Sequence, residues 1–499
     1  MKTFLITAAL LSASLLHAAS AEVADAAQHR DTATVRTLLT QRANVNAAQP
    51  DGTTALHWAA HWNDVETVRL LLSAGADPKV ANRFGASPLS EAAALGSAPI
   101  VEALLKAGAD PKTLTTADGE TVLMTAARAG NSTIVRALLD GGADVNAREK
   151  YKGQTALMWA AAEHHPEVVK LLLDHGADWK VLSSDHETKM PKLSAASSVT
   201  PMARGGLAAF HFAAREGDEA AALVMLNAGV DINQLDVDKT SVLVASLLNK
   251  KYTFAKFLLD RGANPNLADV NGRTALYAAI DMRNEDYSAM PAHPAMDSMS
   301  DLEIIQALLA KGANPNATLT QRLPGRSGMD SGDTSLGEGT TPLMRAARGG
   351  DAQVMRLLLK SGADPKLETK EGNTALMFAA GVGYRDKNTS GTESQALEAL
   401  QVAAEQGEDI NRANTRGETA LHGAANRGAD TIVEFLVAHG AKLDVRSKQG
   451  FTALDIAMGK SSFGALPVPH DSTVALLQKL GAPEGKDLPP LPQPPARAR

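Results

Sequence analysis

The 499-residue sequence has no cysteine, only 4% aromatic residues, and no concentrated block of Lys and Arg. Without cysteine it can build neither a disulfide framework nor a thiolate metal cluster, so packing alone must hold its fold. Its formal charge is -7. A phosphate backbone is held by clustered cations, so no nucleic-acid partner is expected. Beyond the first residues no stretch reaches the roughly 18 apolar residues needed to cross a bilayer. Catalytic signatures are missing as well. There is no H-E-x-x-H, no G-x-S-x-G elbow, no phosphate loop, and no G-x-G-x-x-G after a recognisable strand. Neither enzymatic activity nor a cofactor is expected.

The two ends differ from the rest. Met1-Lys2-Thr3, the apolar run Phe4 to Leu16 and the small residues Ala19-Ser20-Ala21 have the three regions of a secretory signal peptide, predicted over 1–21. With the lack of cysteine, this points to a periplasmic or secreted protein. From Asp487 the chain reads D-L-P-P-L-P-Q-P-P-A-R-A-R, a Pro-rich tail that favours an extended polyproline conformation and reads as a spacer.

Between the ends one pattern returns: T-A-L-H-W-A-A at Thr54–Ala60, T-V-L-M-T-A-A at Thr121–Ala127, T-A-L-M-W-A-A at Thr155–Ala161, T-P-L-M-R-A-A at Thr341–Ala347 and T-A-L-H-G-A-A at Thr419–Ala425. Leu56, Leu89, Leu123 and Leu157 mark steps of 33 or 34 residues. Each unit continues to an L-L-x-x-G-A-D or a close variant. The Thr caps a first helix, Pro88 and Pro342 fall at first-turn positions, and a Gly such as Gly75 or Gly176 ends a second helix. No such unit can bury its own apolar faces, so neighbours must stack.

A period near 33 with a T-P-L-H-x-A core resembles the ankyrin-repeat family, and the leader places the chain with its secreted bacterial members. The resemblance implies an all-α ankyrin-repeat solenoid with irregular insertions. Expected divisions are a partial or capping repeat at 22–50, repeat segments at 51–204, 205–337 and 338–483, and the tail at 484–499. Polar insertions interrupt the connections between repeats before Gly205 and from Leu319 to Gly337. Others, around Arg283–Ser300, Gly383–Ser394 and Lys460–Asp471, separate the two helices of a unit. Asn63 and His164 replace a turn glycine. Ser241–Lys250 lacks the Ala-Ala pair, so a bend or separation is expected there.

The family's usual role is noncovalent recognition, which implies a protein-binding scaffold with a periplasmic protein partner. The position before Ala-Ala tends in that family to face the concave side. Here it carries Trp58, Trp159, Phe212, Arg345 and Phe378. Trp62 follows Trp58 by one helical turn, Arg128 and Arg348 share the position after Ala-Ala, and Tyr384 and Arg385 open an insertion. These ten residues form the expected protein-binding surface, rimmed by Glu91 and Asp64, because aromatics and Arg dominate binding hot spots. The resemblance gives His57, His211 and His422 a structural hydrogen bond, and no metal site is expected from His57, His61, His164, His165 and His175. The alternative is an enzyme or small-ligand site between an insertion and the array, using Asp185, His186, Arg322 and Arg326.

Overall fold

The computed structural model describes residues 21–116, 118–187, 203–284, 297–323, 335–384, 391–460 and 468–487. Residues 1–20 of the expected signal segment, Arg326, Arg385 and the tail after Asp487 lie outside the described residues, as does the bulk of each long insertion. The chain divides into two compact units, Met1–Asp178 and Trp179–Arg499.

The first unit is a stack of helix pairs: Glu22–Gln28 with Thr32–Thr40, Ala55–His61 with Val65–Ser73, Pro88–Ala94 with Ala98–Lys106, Val122–Arg128 with Ser132–Asp140, and Ala156–Ala162 with Pro166–Asp174. First helices pack on first helices and second on second. Sequence explains the local geometry. The Thr121 and Thr155 side chains accept the N–H of Met124 and Met158, and Asp64 and Asn131 cap second helices in the same way. Each such cap is worth about 1 kcal/mol. The Ala pairs, Ala59-Ala60 and Ala160-Ala161 among them, are buried and let helices approach closely. Leu71, Leu104 and Leu138 are fully buried between repeats, each contributing roughly 1.5–3 kcal/mol. Asn63 and His164 take the left-handed turn, with φ of 52° and 59°. That conformation costs a residue with a Cβ roughly 1–2 kcal/mol.

The second unit repeats the plan with Ala209–Glu216 and Glu219–Asn227, Val242–Leu248 and Tyr252–Asp260, Ala275–Arg283 and Asp301–Ala310, Pro342–Arg348 and Ala352–Lys360, Ala375–Ala380 and Glu393–Ala404, Ala420–Arg427 and Asp430–Ala438, and Ala453–Ala457 and Asp471–Lys479. The separation expected as one outcome at Ser241–Lys250 does not occur. Helix Val242–Leu248 packs on the first helices both before and after it. Ser246 stands where the first Ala of the pair would be, is fully buried, and spends its hydroxyl on Leu243 O at 2.7 Å. A small, internally satisfied side chain therefore preserves the close approach.

Loop tips of successive repeats are joined by backbone hydrogen bonds. In the first unit Arg83 N donates to Asp51 O and Lys150 N to Asp118 O. In the second, Val237 N, Val270 N and Thr320 N donate in turn to Gly206 O, Asp238 O and Asn271 O. Asparagine side chains add a clasp: Asn316 donates to Gly362 O at 2.9 Å and accepts from Asp364 N at 2.7 Å. The two between-repeat insertions leave from this row of tips. One has a stem of paired strands, His186–Glu187 and Ala203–Arg204. The other is closed by the bonds Leu319 N to Thr340 O and Gly339 N to Leu319 O.

Candidate functional site

In the first unit the expected surface residues form connected clusters on the face of the first helices. Trp58 and Trp62, one turn apart on Ala55–His61 and its cap, lie nearly parallel with ring centroids 6.3 Å apart. His61 meets both rings edge-on and places Nδ1 3.1 Å from Glu91 Oε2. The Trp58 indole donates to Gln49 Oε1 at 2.8 Å, and Gln49 in turn donates to Asp25 and Gln28. Trp62 donates to Gln28 O at 3.1 Å and lies beneath Arg30, whose guanidinium is 5.6 Å from the ring. Trp62 remains 37% exposed and Trp58 is half-buried. Two large aromatic rings are thus held rigidly with part of their surface in water.

Further along the same face Arg128 stacks on Trp159 at 4.6 Å and pairs with Glu120 at 3.4 Å. Thr125 donates to the same carboxylate at 3.0 Å. The Trp159 indole N–H is buried and has no hydrogen-bond partner among the described residues. Such an orphaned donor costs about 1–3 kcal/mol unless something supplies an acceptor. Gln28, Arg30, Gln49 and Glu120 were not expected in this surface. Gln28 and Arg30 belong to the opening helix pair, which lacks the T-x-L-H pattern, and Gln49 and Glu120 come from loops preceding their helices, so the repeat register gave no signal for them. Asp64 caps Val65–Ser73 by accepting Thr67 N and also receives the hydroxyls of Thr67 and Thr32.

The second-unit residues fare differently. Phe378 is completely buried and offers no surface to a partner. Its helix stops at Ala380, and the chain turns at Gly381 with φ 113° to pass against the next first helix. A Cβ on Gly423 would lie 2.4 Å from Val382 N, so only glycine admits this crossing over the face. Arg345 is 8% exposed because the preceding first helix, Ala275–Arg283, runs longer and overhangs it. Its guanidinium bonds Asp281 Oδ1 at 2.6 Å and Asn284 O at 2.9 Å. Arg348 is 2% exposed and donates to Gly383 O at 2.6 Å. Both arginines therefore anchor insertion stems, which corrects their expected place in an open surface. Phe212 is largely buried, with Arg215 5.6 Å from its ring. Tyr384 is half-buried under Arg427, whose guanidinium is 4.7 Å from the ring and bonds Gly391 O.

The histidines are committed elsewhere. His57 Nδ1 accepts the Thr54 N–H at 3.1 Å and Nε2 donates to Ala86 O of the next repeat at 3.0 Å. His422 does the same with Thr419 N and Phe451 O. His211 donates to Thr240 O, while its Nδ1 has no partner among the described residues because Ala208 replaces the usual Thr. Burial holds His211 and His422 at about 4. His165 bonds Arg128 O and His175 bonds Leu171 O. Among the described residues no group of three or more His, Cys, Asp or Glu could hold a metal ion.

Of the residues of the alternative ligand site, Arg326 and the His186 side chain lie outside what the structure describes. Asp185 raises the Asp238 carboxyl of the neighbouring loop, after burial, the larger cause. Arg322 follows Thr320 and Gln321, which bond the Val270–Asn271 tip instead. A polar cavity of about 420 Å³ lies elsewhere, where the short Gly349-Gly350 turn sits between two stems and is lined by Arg283, Asp301, Asp351, Gly391 and Glu398. Arg283 is already bonded there to Asp301 and Asp351, and Glu398 to Arg356.

Comparison with known proteins agrees with this architecture. Family models described as "Ankyrin repeats (3 copies)" match residues 23–115, 89–182, 210–319 and 292–387, and one described as "Ankyrin repeats (many copies)" matches 402–457. The chain is 35% identical over 24% of its length to Ankyrin repeat and SOCS box protein 16 of Mus musculus, covering 25% of that protein. It is 26% identical over 46% of its length to Transient receptor potential cation channel subfamily A member 1 of Homo sapiens, covering 17% of it. It is 24% identical over 57% of its length to Rabankyrin-5 of Mus musculus, covering 22% of it. The chain thus spans a quarter or less of each of these relatives. They correct the expectation of a secreted bacterial member: they are animal proteins. The periplasmic location, the periplasmic partner and the secreted, signal-bearing description fall with it. Among the described residues no helix is long and apolar enough to cross a membrane.

Proposed function

The chain belongs to the ankyrin-repeat family, a class of non-catalytic interaction scaffolds, and from that premise we propose that its first unit binds another protein through the face carrying Trp58, Trp62, Arg128 and Trp159. The observation that carries this reading is the pair of ring clusters held in place but incompletely covered. Trp58 and Trp62 are positioned by indole hydrogen bonds to Gln49 and Gln28, and Trp159 keeps a buried N–H without an acceptor. Preformed aromatic anchors lose few rotamers on binding, so covering their remaining surface converts efficiently into affinity. Phe212 and Tyr384 in the second unit are secondary candidates, and Phe378, Arg345 and Arg348 support the fold.

Affinity capture with the full chain, compared with a Trp62→Ala/Arg128→Ala variant whose circular dichroism is unchanged, tests the proposal. Partners retained by the parent and lost by the variant are expected. Equal retention of every partner by both would refute it.

A further inference from the structure

One pair of positions occurs in both units with opposite outcomes. Counted from the Ala-Ala of their helices, Arg128 in the first unit matches Arg348 in the second, and Trp159, one repeat later, matches Phe378. In the second unit the pair is closed over: Phe378 is fully buried and Arg348 is 2% exposed. The chain supplies the cover itself. On leaving Ala375–Ala380 it makes a β-turn over Gly381–Tyr384, closed by Tyr384 N donating to Gly381 O at 2.9 Å, with Val382 buried at the corner and Gly383 at φ 74°. Side chains of the flanking first helices take up the carbonyls that leave the corner. Arg348 donates to Gly383 O at 2.6 Å and Asn426 to Tyr384 O at 3.0 Å.

The first unit has the pair without the cover. Helix Ala156–Ala162 leads through a three-residue link directly into Pro166–Asp174, so no such turn is inserted. Trp159 is half-buried, and Arg128, stacked on it at 4.6 Å, keeps a side chain 42% exposed. Its contact with Glu120 at 3.4 Å leaves other N–H groups of the five-donor guanidinium for an acceptor. We propose, resting on the protein-binding reading above, that the occupant of the Arg128–Trp159 pair is a glycine-bearing β-turn at a loop tip of the partner protein. Arg128 donates to the carbonyl of the turn's third residue, as Arg348 does to Gly383, and the corner residue covers the Trp159 ring. Glycine suits that third position because the backbone there has positive φ. A helix would serve poorly, since its interior carbonyls are already bonded within it.

A head-to-tail cyclic hexapeptide containing Gly-Val-Gly-Tyr is the probe, with a linear scrambled peptide of the same composition as control. Each of the four tryptophans gives an indole N–H resonance in the full chain, and Trp159→Phe identifies the one that reports on the site. Titration with the cyclic peptide to millimolar concentration should move the Trp159 resonance saturably. Arg128→Ala, with the other indole resonances in place as evidence of folding, should weaken the affinity about fivefold or more. No movement of the Trp159 resonance, an equal response to the scrambled peptide, or an unchanged affinity in Arg128→Ala overturns the inference. If the Trp62→Ala/Arg128→Ala variant loses its partners in the capture experiment while the Trp159 resonance ignores the cyclic peptide, the β-turn occupant is refuted and the protein-binding face stands.

Discussion

His211 and His422 make the second unit acid-labile by an amount that can be worked from their surroundings. Each imidazole is enclosed at the start of a first helix and donates from Nε2 to a backbone carbonyl of the following repeat. Burial lowers both from 6.5 to about 4, opposed only by backbone hydrogen bonds. The folded state therefore holds these rings neutral while the unfolded chain takes up protons below about 6.5. Their stabilising contribution is complete above that value and is lost as the pH falls toward 4. At pH 4.5 each ring forfeits about 2.5 kcal/mol, and the pair about 5 kcal/mol. Asp236 works in the opposite direction: burial raises it from 3.8 to about 6, so acidification through that range favours its folded form. Allowing for its partial exposure, it returns about 1–2 kcal/mol. The net loss from these three groups between pH 7 and 4.5 is about 3–4 kcal/mol. Hydrogen-exchange protection of Ala209–Glu216 and Ala420–Arg427, measured beside urea unfolding at both pH values, reads this directly and does not require the whole array to unfold in one step. A His211→Gln/His422→Gln variant should be less stable at pH 7, since the carbonyls of Thr240 and Phe451 lose their donors, yet should lack the acid-dependent fall. Wild-type protection that is the same at both pH values, or an equal fall in the variant, would refute the argument.

Asp351→Ala should cost about 1–3 kcal/mol, read as a lower urea midpoint, because it removes the cap accepting Val354 N and one of the two carboxylates on Arg283, which keeps Asp301. Asn316→Ala, which opens an exposed clasp to Gly362 and Asp364, should cost only about 1 kcal/mol. Its effect should appear as faster hydrogen exchange at the adjoining loop while circular dichroism stays unchanged.

The helix pairs were legible because their rules are local and repeated. Thr121, Thr155 and Thr341 cap where the pattern placed them, and Pro88 and Pro342 open helices. The interaction surface was only partly legible. Trp58, Trp62 and Trp159 occupy the first-helix face with ring surface uncovered, whereas Phe378 at the corresponding register is sealed. The difference lies in the path the chain takes out of each helix. It leaves Trp58 by an ordinary turn at Asn63, but leaves Phe378 by a crossing at Gly381 and Val382 that needs Gly423 opposite. No single-repeat pattern contains that pairing, because its members belong to different repeats.

Composition and the 33-residue period determined, without any tertiary information, that this chain stacks helix pairs and holds them by packing, because caps, small Ala pairs and glycine turns act over a few residues. Which aromatic and cationic side chains stay available was decided only in three dimensions. Exposure depends on the neighbouring repeat: Ala275–Arg283 overhangs Arg345, the Gly383 stem takes up Arg348, and nothing comparable among the described residues closes over Trp62.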